Sequence, residues 1–208
     1  MPRDKTISHE KVNRAIREEF LEKGFEGASV RSIGERAGMT SAGLYRHYRD
    51  KAAMFDSIVE PVISAIDLWA ADHKKKAYEH VENRTGDSDL FDETFLDLIR
   101  DIIIPHKDEF RLLLTSSKGT RYENFVNDFV LSNQAEMMEM FGYLKSKGFP
   151  IKQISEEELH ILLSAYLTAC FEPVIHGFRD EEIEVYLGTV RDFFLPGWRN
   201  LMGMQREP

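Results

Sequence analysis

Cysteine is almost missing from this chain: Cys170 stands alone among 208 residues, so no internal disulfide can staple the fold. Strand signals are just as scarce. No sustained apolar-polar alternation lies between Asn-Gly or Asp-Gly turns, whereas apolar residues recur every three or four positions almost throughout. The expected fold is therefore all-α. Long hydrophobic runs are lacking too, since the longest strongly apolar stretches, such as 161–171, are about half of the roughly 20 residues a spanning helix needs. No membrane segment is expected. The first residues show no charged, apolar and small-residue series of a secretory signal, and with the lone cysteine this places the expected location in a reducing cytoplasm.

The chemistry-bearing motifs are equally sparse. The seven histidines (His9, His47, His73, His80, His106, His160 and His176) form no H-E-x-x-H pair and no Cys/His cluster, so no metal is expected. Glu157 and His160 have the spacing of half a di-metal carboxylate site, but no second Glu-x-x-His pair completes it. There is no G-x-S-x-G elbow, phosphate loop or G-x-G-x-x-G, and nothing near Cys170 in the sequence would activate its thiol. The chain is read as a non-enzyme without catalytic residues or cofactor.

What is present is a large apolar and charged content. Hydrophobic residues make up 42% and charged residues 30%, enough to bury a core in water without cross-links. The net charge of -9 argues against a polyanionic partner until its distribution is examined. Residues 1–53 hold 11 Lys and Arg against 8 Asp and Glu, a net of +3, and the remainder holds 16 against 28, a net of -12. Basic charge concentrated at one end fits a nucleic-acid head on an acidic body. The acidic runs at 87–97 and 156–158 read as solvated faces or helix starts.

Periodicity places a first helix from about Ser8 to Lys23, with Val12, Ala15, Ile16 and Phe20 inward and Gly24 as the stop. Ser29 caps a second, Val30 to Ala37, which Gly38 ends. Thr40 caps a third from Ser41 to about His47, and Asp50 caps a longer helix starting at Lys51. Further breaks are expected at 84–88, at Pro105, near Lys118 and Gly119, at 148–150 and at 177–180. Pro61, Pro173 and Pro196 are expected to kink helices or mark their early ends. Two late helices carry the clearest stripes: Leu159, Leu162, Leu163, Tyr166 and Cys170 on one, and Ile183, Tyr186, Leu187, Val190, Phe194 and Trp198 on the other.

The segment SVRSIGERAGMTSAGLYRHYRDK, residues 29–51, has the parts of a helix-turn-helix. Gly38-Met39-Thr40 is a turn of the right length, with glycine where the first helix must stop. Gly34 leaves room where the two helices cross, and Ile33, Ala37, Met39 and Leu44 form the shared core. The third helix then presents Ser41, Ala42, Gly43, Tyr45, Arg46 and His47 outward. Its small leading residues allow close approach to DNA, and Arg46 has the reach for a guanine edge or a phosphate. Thr40, Ser29, Arg31 and Lys51 complete the candidate DNA contacts, flanking the groove and clamping the phosphate backbone.

These residues resemble the N-terminal head of the tetracycline-repressor (TetR) family of bacterial regulators, roughly from Lys11 to Phe55. Ser29-Val30-Arg31, Ile33, Ala37-Gly38, Leu44-Tyr45, His47-Tyr48 and Lys51 stand where that family's pattern has such residues. Two positions depart from it: Gly34 is commonly alanine there, and Met39 commonly a smaller β-branched residue. The resemblance implies a homodimer on a double-stranded palindromic operator, with its two third helices in successive major grooves, and repression relieved by a small-molecule effector. It also implies residues 1–50 as a DNA-binding domain and 51–208 as a helical sensing and dimerisation domain.

By the same resemblance the last two helices, near Glu156 to His176 and Glu181 to Leu195 or slightly beyond, pair with their copies as a four-helix bundle. Their stripes equally fit packing within one chain. Phe95, Phe110, Phe125, Phe129, Met138 and Tyr166 are candidate effector-pocket residues, because aromatic and thioether groups suit an adaptable apolar pocket; plain core packing is the other reading. The implied mechanism has an effector tilting the helix that starts at Lys51, so that the heads lose operator spacing. The competing reading, a helical partner- or lipid-binding protein with a repurposed head, would favour loss of Arg31, Arg46 or Lys51, or acids on the third helix. The three basic residues are present and that helix has no Asp or Glu.

Overall fold

Caps and glycine stops divide the chain into helices. The computed structural model describes residues 5–83 and 94–203, and among them every regular element is helical, with no strand. In chain order these are α1 (Lys5–Gly27), α2 (Val30–Ala37), α3 (Ser41–Leu44), α4 (Lys51–Asn83), α5 (Thr94–Leu98), a π-helical turn (Ile99–Ile103), α6 (Lys107–Thr115), α7 (Phe125–Ser146), α8 (Glu156–Ile175) and α9 (Asp180–Leu201). The expected all-α architecture with a three-helix N-terminal head is present.

The local signals hold well. The Ser29 hydroxyl accepts from Ser32 N–H at 3.3 Å, the Thr40 hydroxyl from Gly43 N–H at 3.0 Å, and the Asp50 carboxylate from Ala53 N–H at 2.7 Å. Ser155 and Glu158 form a full capping box at the start of α8. Other expectations need correction. Ser8 lies inside α1, which already runs at Lys5, so it is not that helix's cap. Gly24 breaks α1 as expected (φ 67°, ψ 169°), after which the chain makes one more turn to Gly27. α3 is a single turn that ends at Leu44, three residues short of His47. Pro61, Pro173 and Pro196 lie within α4, α8 and α9, which removes the early-end alternative of that expectation and does not bear on a local kink. The break expected at 84–88 lies outside the described residues.

Residues 1–66 and 106–125 gather into one compact unit, and residues 67–105 and 126–208 into another. In the first, α1 buries Val12, Ala15, Ile16 and Phe20 with Ile33 and Ala37 of α2, Leu44 of α3, and Met54, Phe55, Ile58, Val59 and Val62 of α4. Helix α6 belongs to this unit as well. Arg17 of α1 forms ion pairs with Glu109 and Asp108, and Phe110, Leu112 and Leu113 are buried. Phe20, Phe25, Phe55 and Tyr122 make a run of ring contacts with centroids 5.1 to 6.0 Å apart.

In the second unit the later half of α4 is tied to α7 by two matched sets of contacts. Glu139 accepts from Lys74 at 2.7 Å and Tyr78 at 3.1 Å, while Glu82 accepts from Lys147 at 2.8 Å and from Tyr143. Helices α8 and α9 turn Leu159, Leu163, Leu167, Cys170 and Val174, and Ile183, Leu187 and Val190, inward. By length and composition alone, helix α8, with 20 residues and a mean hydropathy of 1.3, is long and apolar enough to cross a membrane. It starts with three glutamates and buries seven residues, which fits a core helix of this unit.

Candidate nucleic-acid interface

The helix-turn-helix is built by three local devices. Gly38 takes the left-handed conformation (φ 70°, ψ 34°), and the amides of Gly38 and Met39 return to the carbonyls of Glu35 (3.2 Å) and Gly34 (2.8 Å). Gly34 sits beneath this turn: a Cβ there would lie 2.8 Å from the Met39 carbonyl oxygen, so the turn closes tightly only over glycine. Ile33, Ala37 and Leu44 are buried under it and Met39 is half-buried.

Helix α2 is then anchored to α1 by a buried carboxylate. Glu19, with no exposed surface, accepts from the Ser32 hydroxyl (2.6 Å), Lys23 (2.9 Å), Arg36 (3.1 Å) and the Ser29 amide (3.2 Å). Burial pushes its pKa up, but the hydrogen bonds from Ser32, Lys23 and the Ser29 amide, with the charge of Lys23, outweigh this and hold it below the ordinary glutamate value. Arg36 also reaches Glu22 at 3.0 Å.

This scaffold presents an exposed polar face. Thr40, Ala42, Tyr45, Arg46 and His47 are exposed and Ser41 is half-exposed. Among the described residues the side chains of Tyr45, Arg46 and His47 have no hydrogen-bond or ion-pair partner, so their donors point into solvent unspent. Ser29 and Arg31, at the start of α2, are exposed as well. Arg31 pairs with Glu35 at 3.0 Å across side chains that are 85% and 66% exposed, a contact weak enough for a phosphate to replace. Gly43, expected outward, is buried against Met39 and Thr40. Lys51 is half-buried, and its ammonium donates to three backbone carbonyls of the first unit.

The pocket candidates fall in both units. In the first, Phe110 is fully buried edge-on to Phe125 at 5.8 Å. In the second, Phe129 lies 5.8 Å from Phe171, Tyr166 lies 5.1 Å from Phe194 and 5.8 Å from Trp198, and Met138 is half-buried on α7. The side chain of Phe95 lies outside the described residues. Tyr166 hydrogen-bonds Cys170, whose thiol burial pushes up to about 12, far from a reactive thiolate. Among the described residues, Trp198 Nε1 is buried with no acceptor, and no group of three or more His, Cys, Asp or Glu is placed to hold a metal ion.

Glu19 and α6 escaped the sequence reading. The partners of Glu19 lie 4 to 17 positions away, and α6 joins α1 across some 90 residues, so neither leaves a local pattern.

Residues 14–58 match the family described as bacterial regulatory proteins, tetR family. The fold resembles the crystal structure of PfmR, a TetR family transcriptional regulator from Thermus thermophilus, at 16% identity and a TM-score of 0.59. The match covers 86% of this chain and 94% of that one. A structure from Mesorhizobium loti assigned to the same family matches at 16% identity and a TM-score of 0.40, over 93% of this chain and 97% of that one. No curated protein matches the chain.

Proposed function

We propose that this chain, whose residues 14–58 match the tetR family of bacterial regulatory proteins, is a repressor that grips a palindromic operator as a homodimer and is released by a small-molecule effector. The observation that carries this reading is the closed helix-turn-helix whose outer face leaves Tyr45, Arg46 and His47 exposed and without internal partners among the described residues. An unpaired guanidinium beside small leading residues suits base-edge and phosphate recognition in a major groove. Ser29, Arg31, Thr40, Ser41 and Ala42 border it and supply the flanking backbone contacts.

Dimerisation is assigned to the outer faces of α8 and α9. Their inward stripes are consumed within the chain, but Leu162, expected in a stripe, is exposed, and so are Ile161 (66%), Val185 (76%) and Phe193 (78%). Large apolar side chains this open on the last two helices suit burial against a second copy. The functional division at residues 50 and 51, with DNA binding before it and sensing after it, belongs to the same reading.

Phe129, Met138 and Tyr166 are the side chains assigned to the effector pocket. Helix α4 is continuous from Lys51 to Asn83, so an effector that prefers one placement of its later half also biases the heads. Such an effector shifts DNA affinity only as far as it prefers the non-binding arrangement.

The test is selection of duplexes from a random-sequence pool by the full-length protein. Recovery of a two-fold symmetric site supports the proposal. Recovery of no common sequence overturns it in favour of a partner- or lipid-binding role.

A further inference from the structure

The Lys51 side chain is spent inside the protein. Its Nζ donates to the carbonyl oxygens of Phe25 at 2.6 Å, Ala28 at 3.1 Å and Glu26 at 3.4 Å. An ammonium has three donors and no acceptor, so three carbonyls exhaust it. The same nitrogen lies 4.5 Å from the centre of the Phe25 ring, a cation-π contact that adds to the three hydrogen bonds.

Those carbonyls lie between the Gly24 kink of α1 and the start of α2, and neighbouring groups of this segment are tethered as well. Gly24 ends the α1 ladder, and the Phe25 amide donates to the Ser116 carbonyl at 2.9 Å. The Phe25 ring packs on Phe20 and Phe55. One residue past Ala28, the Ser29 amide goes to Glu19. Lys51 is itself the first residue of α4. A single ammonium thus fastens the start of α4 to the loop from which the helix-turn-helix hangs, where the exposed carbonyls at a helix end favour a cation.

We infer that Lys51 is a positioning residue for DNA binding, a clasp that fixes the helix-turn-helix against α4, and that it makes no phosphate contact. The inference rests on the DNA-binding reading of the head and reassigns one member of its contact set. Arginine replaces the clasp poorly, because its larger planar fork spreads its donors where a compact ammonium meets three converging carbonyls, whereas arginine serves a phosphate at least as well as lysine.

The test measures affinity of the full-length protein for its selected duplex as a function of salt, comparing wild type with Lys51→Met, Lys51→Arg and Arg46→Ala. Loss of one phosphate contact lowers the slope of log affinity against log salt by about 0.9. The clasp predicts that both Lys51 variants weaken binding, by roughly tenfold for a set of charge-assisted hydrogen bonds, with the wild-type slope retained. A slope reduced by about one in Lys51→Met, with binding restored in Lys51→Arg, overturns it. Arg46→Ala reports on the recognition face separately: an unchanged slope together with an unchanged preference for the selected duplex counts against that face and leaves the clasp standing.

A second measurement needs neither DNA nor a folded variant. In competitive acetylation of the free wild-type protein, Lys51 should react at least tenfold more slowly than Lys118, whose side chain is 83% exposed, and Lys75, at 74%. Equal reactivity would show an ammonium free in solution and overturn the clasp.

Discussion

At the scale of single residues, Gly34 shows how a position that departs from the pattern its segment resembles can be required by its own surroundings. Alanine there gains about 1 kcal/mol of helix propensity, but its Cβ would press to 2.8 Å on the Met39 carbonyl oxygen, and backbone does not swing aside as a side chain does. Overpacking of this kind costs about 1–3 kcal/mol. Gly34→Ala should therefore be destabilised in urea unfolding; a variant more stable than wild type would show that the turn yields freely. Glu19 leads to a pH dependence. Its folded pKa lies below the ordinary value of 4.5, so its stabilisation is fully present above that value and is lost as pH falls through the folded pKa. Glu19→Gln should be less stable than wild type at pH 7, with the gap closing as pH falls below about 4.5. A gap independent of pH would mean that the charge is not what the site holds. The caps at Ser29, Thr40 and Asp50 were legible in the sequence because each partner lies three residues on. Glu19 and Lys51 were not, because ten residues or more separate them from the groups that define their roles. For Lys51, residue type and place suggest a phosphate contact, and the carbonyls around its ammonium are what motivate the clasp proposed above.

At the scale of elements, helix existence was legible and helix ends less so. Periodicity found α1, α2, α4, α8 and α9 because each turns an apolar stripe inward over at least two turns. It overran α3, whose polar and aromatic residues after Leu44 continue as turns. The π-helical turn was invisible: Ile104 N–H reaches the Ile99 carbonyl at 2.8 Å, and five residues are too few to separate that spacing from an ordinary helix. Just beyond Pro105, α6 packs into the same unit as α1, joined by Arg17 and Glu109. Their side chains are 32% and 19% exposed, so the pair is partly shielded from solvent. A double-mutant cycle between Arg17→Ala and Glu109→Ala should give a coupling of roughly 1 kcal/mol, the upper end for partly exposed pairs. Additive effects in urea unfolding would assign the α1–α6 packing to apolar contacts alone.

At the scale of the whole molecule, the charge asymmetry and the outer faces of α8 and α9 make separate demands. A basic head on an acidic body concentrates attraction for DNA at one end while the body repels it. The exposed Ile161, Val185 and Phe193 demand a cover. Replacing Ile161 and Phe193 with glutamate should convert a dimer to a species of 24.1 kDa in sedimentation equilibrium, still helical and still folded. A wild-type protein already at that mass would contradict the dimer assignment. The inward stripes were legible as apolar surface, but which apolar residues of α8 and α9 the chain buries and which it leaves exposed depends on packing that periodicity does not carry.

In the proposed function the exposed surface of α3 and of the turn after it, which carries Tyr45, Arg46 and His47, reads DNA. The most direct test of that reading is the salt dependence of wild type and Arg46→Ala binding to the selected duplex, against a scrambled duplex of equal length. The account predicts tight, salt-sensitive binding by wild type, and for Arg46→Ala either a slope reduced by about one or a loss of preference for the selected sequence, each mark of a lost contact worth roughly 1–3 kcal/mol. Equal affinity for both duplexes, unchanged by Arg46→Ala, would contradict it.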